Sequence, residues 1–442
     1  MIKMHIGFDD TDSPRMGCTT YVAAILVEKL LKTGIIFIDY PNLIRLNPNV
    51  PWKTRGNGAL CLRIKCKENV VGEVMETVVD AVEKNADLEY KGTDPGVVFF
   101  FNTIPSEVKA FAKETIQGIV KMKDALKLVE KFEGEAVGFK TGRGIIGSLA
   151  AIGETLDEDH TYEIIAYRTP ENCGTKRKIE ATSVEEMDEK TSPFTFNNID
   201  PETKRILITP RGPDPILYGI RGETAQAVRQ AHKIIRPQEP IERWVIFRTN
   251  HGTDAHLQKV SSINGIKPFN PAVVQGEVSK EPRIIPVRHV VFSIKDKTGE
   301  VDCAAYEPTG SLRQIAKQLA LRDIVEAYGG VRAASSKHPM TVNLEKIRIL
   351  ELKPKITLFN PKCPNCGKTM KSMGKNKGFK CDRCGFRDSK AEKVSVESER
   401  SIKIGLYITP PHSQRHLTKP YCRYGKEKSG KPQRMIADWH YP

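Results

Sequence analysis

Cys363-Pro364-Asn365-Cys366-Gly367 and Cys381-Asp382-Arg383-Cys384-Gly385 stand fourteen residues apart in the C-terminal part of the chain. Two such pairs, each turning at a glycine, place four thiolates tetrahedrally, so Cys363, Cys366, Cys381 and Cys384 are expected to hold Zn2+ in a zinc ribbon. All four positions are filled by protein, which leaves no place for water or substrate, and the expected role of the zinc is structural. The other six cysteines are scattered. The N-terminus, MIKMHIGFDD, lacks the apolar stretch of a secretory signal. Free thiols, a metal and a cytosolic (cytoplasmic) setting fit that pattern better than a disulfide frame. No run of 18 apolar residues occurs, so no membrane span is expected.

The chain is 442 residues long, more than one core accommodates, and several domains are expected. The fold class is α+β multidomain. Residues 1–152 alternate strand and helix signals, as an α/β domain does. Residues 153–255 read strand (TYEIIAYR), helix (SVEEMDEK), strand (RILITP), strand (ILYGIRG), helix (ETAQAVRQAHKII) and strand (RWVIFRTN). That βαββαβ order is the signature of a ferredoxin-like domain. Residues 256–284, with Pro268, Pro271 and Pro282, read as a linker. Residues 285–355 begin with two strands joined at an Asp-Lys-Thr-Gly turn and suit an OB-fold β-barrel. Residues 356–395 form the ribbon, and residues 396–442 a basic C-terminal tail.

Charge is unevenly placed. Residues 356–442 hold 19 Lys/Arg against 7 Asp/Glu, which is +12 of the chain's +15. A solvated basic tail is one reading; a surface that displaces counterions from nucleic acid is the other, and the adjacent zinc module favours it. In the tail, Arg415, His416, Lys419 and Arg423 alternate with Tyr421 and Tyr424, a pattern that stacks on bases and pairs with phosphates.

Asp9, Asp10 and Asp12 end the first strand, where crowded carboxylates call for a cation. Mg2+ completed by nucleotide phosphate suits them; an acidic helix cap suits Asp12 and Ser13 equally. Thr19 and Thr20 open the next helix, where anions are favoured. Lys53, Arg55, Gly56 and Asn57 combine cations with glycine, as do Lys140, Gly142, Arg143 and Gly144, with a Gly92–Gly96 turn between them. None matches a P-loop or a kinase glycine-rich loop. Each alone serves as well for a hairpin or helix entry; together they describe a phosphate pocket. Asp214, between Pro213 and Pro215, can present a carboxylate to a cationic ligand, with Glu223 as a second acid that suits a helix dipole equally.

The succession GFDDTDS, CTT, PWKTRGNGA, GTDPG, KTGRGIIGSLAAIG, RGPDPILYGIRGE, the OB segment, the four cysteines and RHLTKPY resembles the archaeal tRNA(Ile) agmatidine (2-agmatinylcytidine) synthetases over the whole chain. The resemblance implies a kinase-like ATP and cytidine domain at 1–152 and agmatine binding at 153–255. It implies that ATP phosphorylates the 2-oxo group of the wobble cytidine of tRNA(Ile2), ending as AMP and phosphate. Agmatine then displaces the phosphate, so that a CAU anticodon reads AUA. It further implies phosphorylation of Thr19, and Mg2+ or catalytic roles for Asp9, Asp10 and Asp12. Lys53, Arg55, Lys140 and Arg143 would neutralise phosphate, Asp214 or Glu223 would hold agmatine, and the OB domain, ribbon and tail would grip the tRNA. Two rivals remain: a tRNA- or single-strand-binding protein without catalysis, and an ATP-dependent ligase or kinase for another amine or nucleotide.

Overall fold

In the computed structural model, which describes residues 1–430 and 434–442, the first unit runs β1 (Ile2–Asp9), α1 (Thr19–Lys32), β2 (Ile36–Phe37), β3 (Asn42–Arg45), β4 (Gly58–Cys66), α2 (Val71–Asn85), β5 (Gly96–Phe101), α3 (Ser106–Gln117), α4 (Met122–Lys131), β6 (Glu135–Gly138) and α5 (Gly144–Gly153). Strand β5 (GVVFFF) is apolar at every position because both sheet faces are covered there. Successive residues point to opposite faces: Val97 and Phe99 of β5 pack with α1 and α2, Val98 and Phe100 with α3, α4 and α5. Helices α3 and α4 lie in a stretch to which sequence reading assigned no element.

The second unit is β7 (Thr161–Arg168), α6 (Ala181–Thr191), β8 (Thr195–Phe196), β9 (Ile216–Gly222), α7 (Ala225–Ile234) and β10 (Ile241–Thr249). Residues 205–210, expected as a strand, supply one bridge, Ile206 to Ile199; the short β8 takes the strand's place in the sheet. The two units share one eleven-stranded sheet, nine strands of which run in the order β6-β5-β1-β4-β3-β10-β7-β9-β8, with β2 added beside β4 and a C-terminal strand beside β10. Their join is the parallel pair β3–β10, Arg248 opposite Asn42 and Thr249 opposite Leu43. A single core runs under both units, from Val22 of α1 to Val184 of α6 and Val228 of α7.

After β11 (Gln258–Lys259) comes a closed five-stranded barrel: β12 (Pro271–Ile285), β13 (His289–Lys295), β14 (Glu300–Ala305), β15 (Ile324–Arg332) and β16 (Thr341–Glu351), with helix α8 (Ser311–Ala316) before β15. Residues 256–284 are therefore not a linker, for β12 is the barrel's longest strand and closes it by pairing with both β13 and β15. Its prolines misled the reading: Pro271 is its first residue, and Pro282 lies within an irregular register between Lys280 and Arg283.

A two-stranded stalk, β17 (Ile356–Phe359) with β21 (Val394–Glu397), carries the metal module with β18 (Lys371–Ser372), β19 (Phe379–Lys380) and β20 (Arg387–Asp388). The chain then returns to the body. β22 (Gly405–Ile408) joins the barrel beside β16, and β23 (His440–Tyr441) pairs with β10. Residues 396–442 are thus woven into both larger units rather than trailing from them. Among the described residues no helix is long and apolar enough to cross a membrane.

Candidate active site

Polar chemistry begins where β1 ends. Asp9 is the last residue of β1 and lies against the first turn of α5: a Cβ on Gly147 would overlap its carboxylate, and one on Gly7 would overlap the Ser148 carbonyl. Only glycine at these two places lets the helix lie directly on the strand. Burial, then Asp10 and Asp12 nearby, push the Asp9 carboxyl well above the usual carboxylate range. Asp10 has φ 61°, which turns it toward Arg143, whose Nη2 donates to its Oδ2 at 2.8 Å and to the Gly92 carbonyl at 2.7 Å. Asp12 accepts from Thr54 Oγ1 at 2.9 Å and lies 3.4 Å from Arg55 Nε. Burial raises both carboxyls in spite of those cations.

The three acids do not converge as one metal cage. Among the described residues, the only group of three or more His, Cys, Asp or Glu whose ligand atoms lie mutually within 4.8 Å is Cys363, Cys366, Cys381 and Cys384. The left-handed turn at Asp10 fans the carboxylates apart, Asp10 to Arg143, Asp12 to Thr54 and Arg55, and Asp9 against α5. Such an arrangement fits Mg2+ only in its usual manner, one or two carboxylates with phosphate oxygens and water completing the octahedron.

A cavity of about 730 Å³ opens from this point across the sheet. Thr19 and Thr20 line it at the start of α1; the Thr19 hydroxyl accepts from Thr11 at 3.0 Å. Of the residues the sequence reading grouped as a phosphate pocket, Lys53, Arg55, Gly56, Asn57, Arg143 and Gly144 line it. Burial and nearby Arg415 push the Lys53 ammonium down, and its Nζ donates to the Arg55 carbonyl at 2.9 Å. Lys140 and Gly142 do not reach the cavity lining. Lys140 instead donates to the Tyr90 and Thr93 carbonyls at 2.6 and 2.7 Å and pins the Gly92–Gly96 turn that Arg143 also holds.

The second unit supplies the opposite wall. Asp214 is nearly buried; its Oδ1 accepts from Arg177 at 3.0 Å, while Oδ2 lies 3.9 Å from Arg55 in the lining. Glu223 is absent from that lining. It accepts from Arg423 Nε at 2.8 Å and from Lys428 at 2.5 Å, so its charge is already spent within the protein. Arg423 is fully buried, bonded also to Asp159 at 2.9 Å and the Gly252 carbonyl at 2.6 Å. Lys419 is nearly buried and pairs with Asp159 and Glu427. These two tail cations fasten the tail; Arg423 cannot reach a phosphate without taking a partner from buried Glu223, nor Lys419 without releasing Asp159 and Glu427. The stacking-and-pairing pattern read from the tail is therefore corrected for Arg423 and Lys419. Arg415 and His416 stand in the cavity wall.

Sequence reading passed over Arg45, Glu163, Arg205, Arg221 and His251, all in the lining. The available signal was a charged residue in or at the end of a mostly apolar strand: Arg45 in NLIR, Glu163 in TYEIIAYR, Arg221 in ILYGIRG. In all, eight Lys/Arg face five Asp/Glu in the lining, a balance that suits a polyanion. Trp52, half exposed, and Ile119, Val120 and Ile146 give it an apolar side.

At the far end of the chain, Cys363 and Cys384 sulfurs lie 3.4 Å apart and those of Cys366 and Cys381 3.5 Å apart. That is near the roughly 3.8 Å edge of a tetrahedron built on Zn–S bonds of about 2.3 Å. The module's own core is small, Met370 and Phe379 beside the thiols, so metal binding supplies much of its stability.

Three family profiles match the chain: TiaS TCKD domain at residues 5–75, TiaS FLD domain at 142–256 and TiaS C-terminal zinc ribbon domain at 360–402. The tRNA(Ile2) 2-agmatinylcytidine synthetase TiaS of Methanocaldococcus jannaschii is 43% identical over 430 residues, covering 95% of this chain and 98% of that protein. The protein of the same name from Archaeoglobus fulgidus is 39% identical over 426 residues, covering 96% and 99%. Among solved structures, a TiaS-tRNA(Ile2)-ATP complex superposes with a TM-score of 0.85 at 37% identity, covering 96% of this chain and 98% of that one. A TiaS-tRNA(Ile2)-AMPCPP-agmatine complex gives 0.84 at 36%, with the same coverage.

Proposed function

The chain belongs to the tRNA(Ile2) 2-agmatinylcytidine synthetase family, and from that premise we propose how its residues divide the work. The protein is an ATP-dependent enzyme that conjugates agmatine to the wobble cytidine of tRNA(Ile2). The single observation that carries the assignment onto this molecule is the cavity at the seam of the two units. Nucleotide-type residues of the first unit and Asp214 of the second face each other there across a shared sheet.

We read residues 1–152 as the kinase-like domain and residues 153–255 as ferredoxin-like. The strand order β10-β7-β9-β8, with α6 and α7 packed in one core, supports the second reading. We read the barrel as an OB fold.

A carbonyl oxygen is a poor leaving group, and the reaction replaces it in two steps. The cytidine O2 attacks a phosphorus of ATP, forming an O–P bond as the rest of the nucleotide leaves. The primary amine of agmatine then bonds to C2, the C2–O bond breaks, phosphate departs with the former O2, and the amine gives up a proton. Arg143, Lys53 and Arg55 neutralise phosphate, the largest contribution a protein makes to such transfers. Mg2+ bound beside Asp9, Asp10 or Asp12 would add charge neutralisation at the phosphates. Asp9, with its raised affinity for a proton, is the candidate to hold one during the exchange. The Thr19 hydroxyl, at the cavity wall and the first turn of α1, is placed to accept a phosphoryl group. Asp214 receives the agmatine guanidinium on Oδ2, its Oδ1 being held by Arg177. The target base leaves its stack to enter the cavity, with Trp52 at hand for stacking. A cytosolic setting accords with these substrates.

The test follows the oxygen. With tRNA carrying oxygen-18 at O2 of the wobble cytidine, the released inorganic phosphate acquires the label. Label appearing in water instead would overturn the phosphorylated intermediate.

A further inference from the structure

On the sheet face away from α6 and α7, Arg45 at the end of β3 and Arg221 near the end of β9 flank one carboxylate, Glu163 of β7. All three line the cavity, and their side chains are 13%, 17% and 3% exposed. Arg221 donates through Nε to Glu163 Oε1 at 3.0 Å. Arg45 comes to 3.7 Å of Oε2, beyond hydrogen-bond reach, and its Nε is enclosed with no acceptor. Among the described residues, no acceptor meets the terminal Nη nitrogens of either guanidinium within hydrogen-bond distance.

Two histidines close the back of this cluster, His251 and His416, ring centroids 5.0 Å apart. Burial, then Arg221, brings His251 down to about 4; burial and Arg45 hold His416 well below the usual range. Both are neutral near pH 7 and add no charge. Glu163 is ionised: burial pushes it up, but Arg221, His251 and Arg45 outweigh that. Two guanidiniums and one carboxylate leave a positive charge in excess where water is scarce, an arrangement that is costly until an anion arrives. Forked N–H donors match the oxygens of phosphate as well as those of carboxylate, and the ATP and RNA of this cavity bring phosphates.

We propose that Arg45 and Arg221 form a second phosphate subsite of the cavity, built on β3, β7 and β9 rather than on α1 and α5, with Glu163 positioning both guanidiniums. The subsite rests on the reading of this cavity as the ATP and wobble-cytidine site. Its phosphate comes either from the nucleotide or from the RNA backbone next to the flipped base.

The experiment measures ATP (with Mg2+) and tRNA(Ile2) binding separately for the wild type, Arg45→Lys and Arg221→Lys, alongside ligand-free melting. Lysine keeps the charge and loses the fork, so affinity for one ligand is expected to fall about tenfold while melting is unchanged. A loss confined to ATP assigns the nucleotide phosphate. A loss confined to tRNA, with a shallower salt dependence, assigns the RNA phosphodiester. Glu163→Gln retains an acceptor for Arg221 and is expected to bind within about threefold of wild type, and Glu163→Leu to lose as much as the lysine variants. A combined Arg221→Gln, Glu163→Gln variant, which removes the pair without changing net charge, is expected to show the same affinity loss if a single substitution prevents folding. Wild-type affinity for both ligands in the folded variants overturns the subsite, as does lowered stability with both affinities intact. Failure of the wild type to modify tRNA, with these losses still present, would count against the function and not against the subsite.

Discussion

Asp9 is a buried acid that lines the cavity without a charged partner. Among the described residues it forms no ion pair, and burial holds its carboxyl well above the usual range. An acid with a raised folded-state pKa contributes stability only where it is protonated, and that contribution is lost as pH rises through the folded value. Asp9→Asn is therefore expected to make the ligand-free protein more stable at pH 8, on the order of 1 kcal/mol or more, with the gain vanishing toward pH 4. Turnover in the same variant is expected to fall about a hundredfold or more. Urea titrations at several pH values check the first part; a variant less stable than wild type at pH 8 contradicts it. The acids were legible in the sequence because they are adjacent. Glu163, Arg45 and Arg221 were not, because they meet only through the pairing of β7 with β9 and the β3–β10 join.

Among elements, local signals fared best. The four cysteines and the glycine turns state their geometry within a few residues, and the structure brings the sulfurs together. Strand β12 was hidden because two of its prolines fall where a strand tolerates them, at the start and in an irregular register. The tail was misread for another reason: a row of cations looks the same whether it meets phosphate or buried acid. Arg423 meets Glu223 and Asp159. Arg423→Met is expected to destabilise the protein by about 3–5 kcal/mol, since both acids lose a buried partner. Its chemical-denaturation midpoint checks this, and a midpoint equal to wild type would restore Arg423 as a candidate for binding RNA.

For the whole molecule, the C-terminal positive charge divides evenly, +6 over residues 356–402 and +6 over the last forty, but the ribbon's share lies open at the surface. Lys362, Lys368, Lys375 and Lys377 are exposed on it, whereas Lys419 and Arg423 are consumed inside. Replacing Lys368, Lys375 and Lys377 with Gln is expected to weaken tRNA binding and flatten its logarithmic salt dependence by roughly 0.9 for every phosphate no longer neutralised. An unchanged slope would place the RNA elsewhere. The shared sheet makes the two catalytic units one body, with the tail laced through barrel and sheet, so deleting residues 356–442 would damage folding as well as RNA binding.

The central claim is that this body uses ATP to place agmatine on one cytidine. Protein, ATP, Mg2+, agmatine and tRNA(Ile2) with a CAU anticodon are mixed, and the wobble nucleoside is analysed by mass. The account predicts a cytidine heavier by agmatine less one water, absent without ATP and formed about a hundredfold or more slowly with Asp9→Asn. An unmodified cytidine in tRNA that the wild-type protein binds tightly would contradict it.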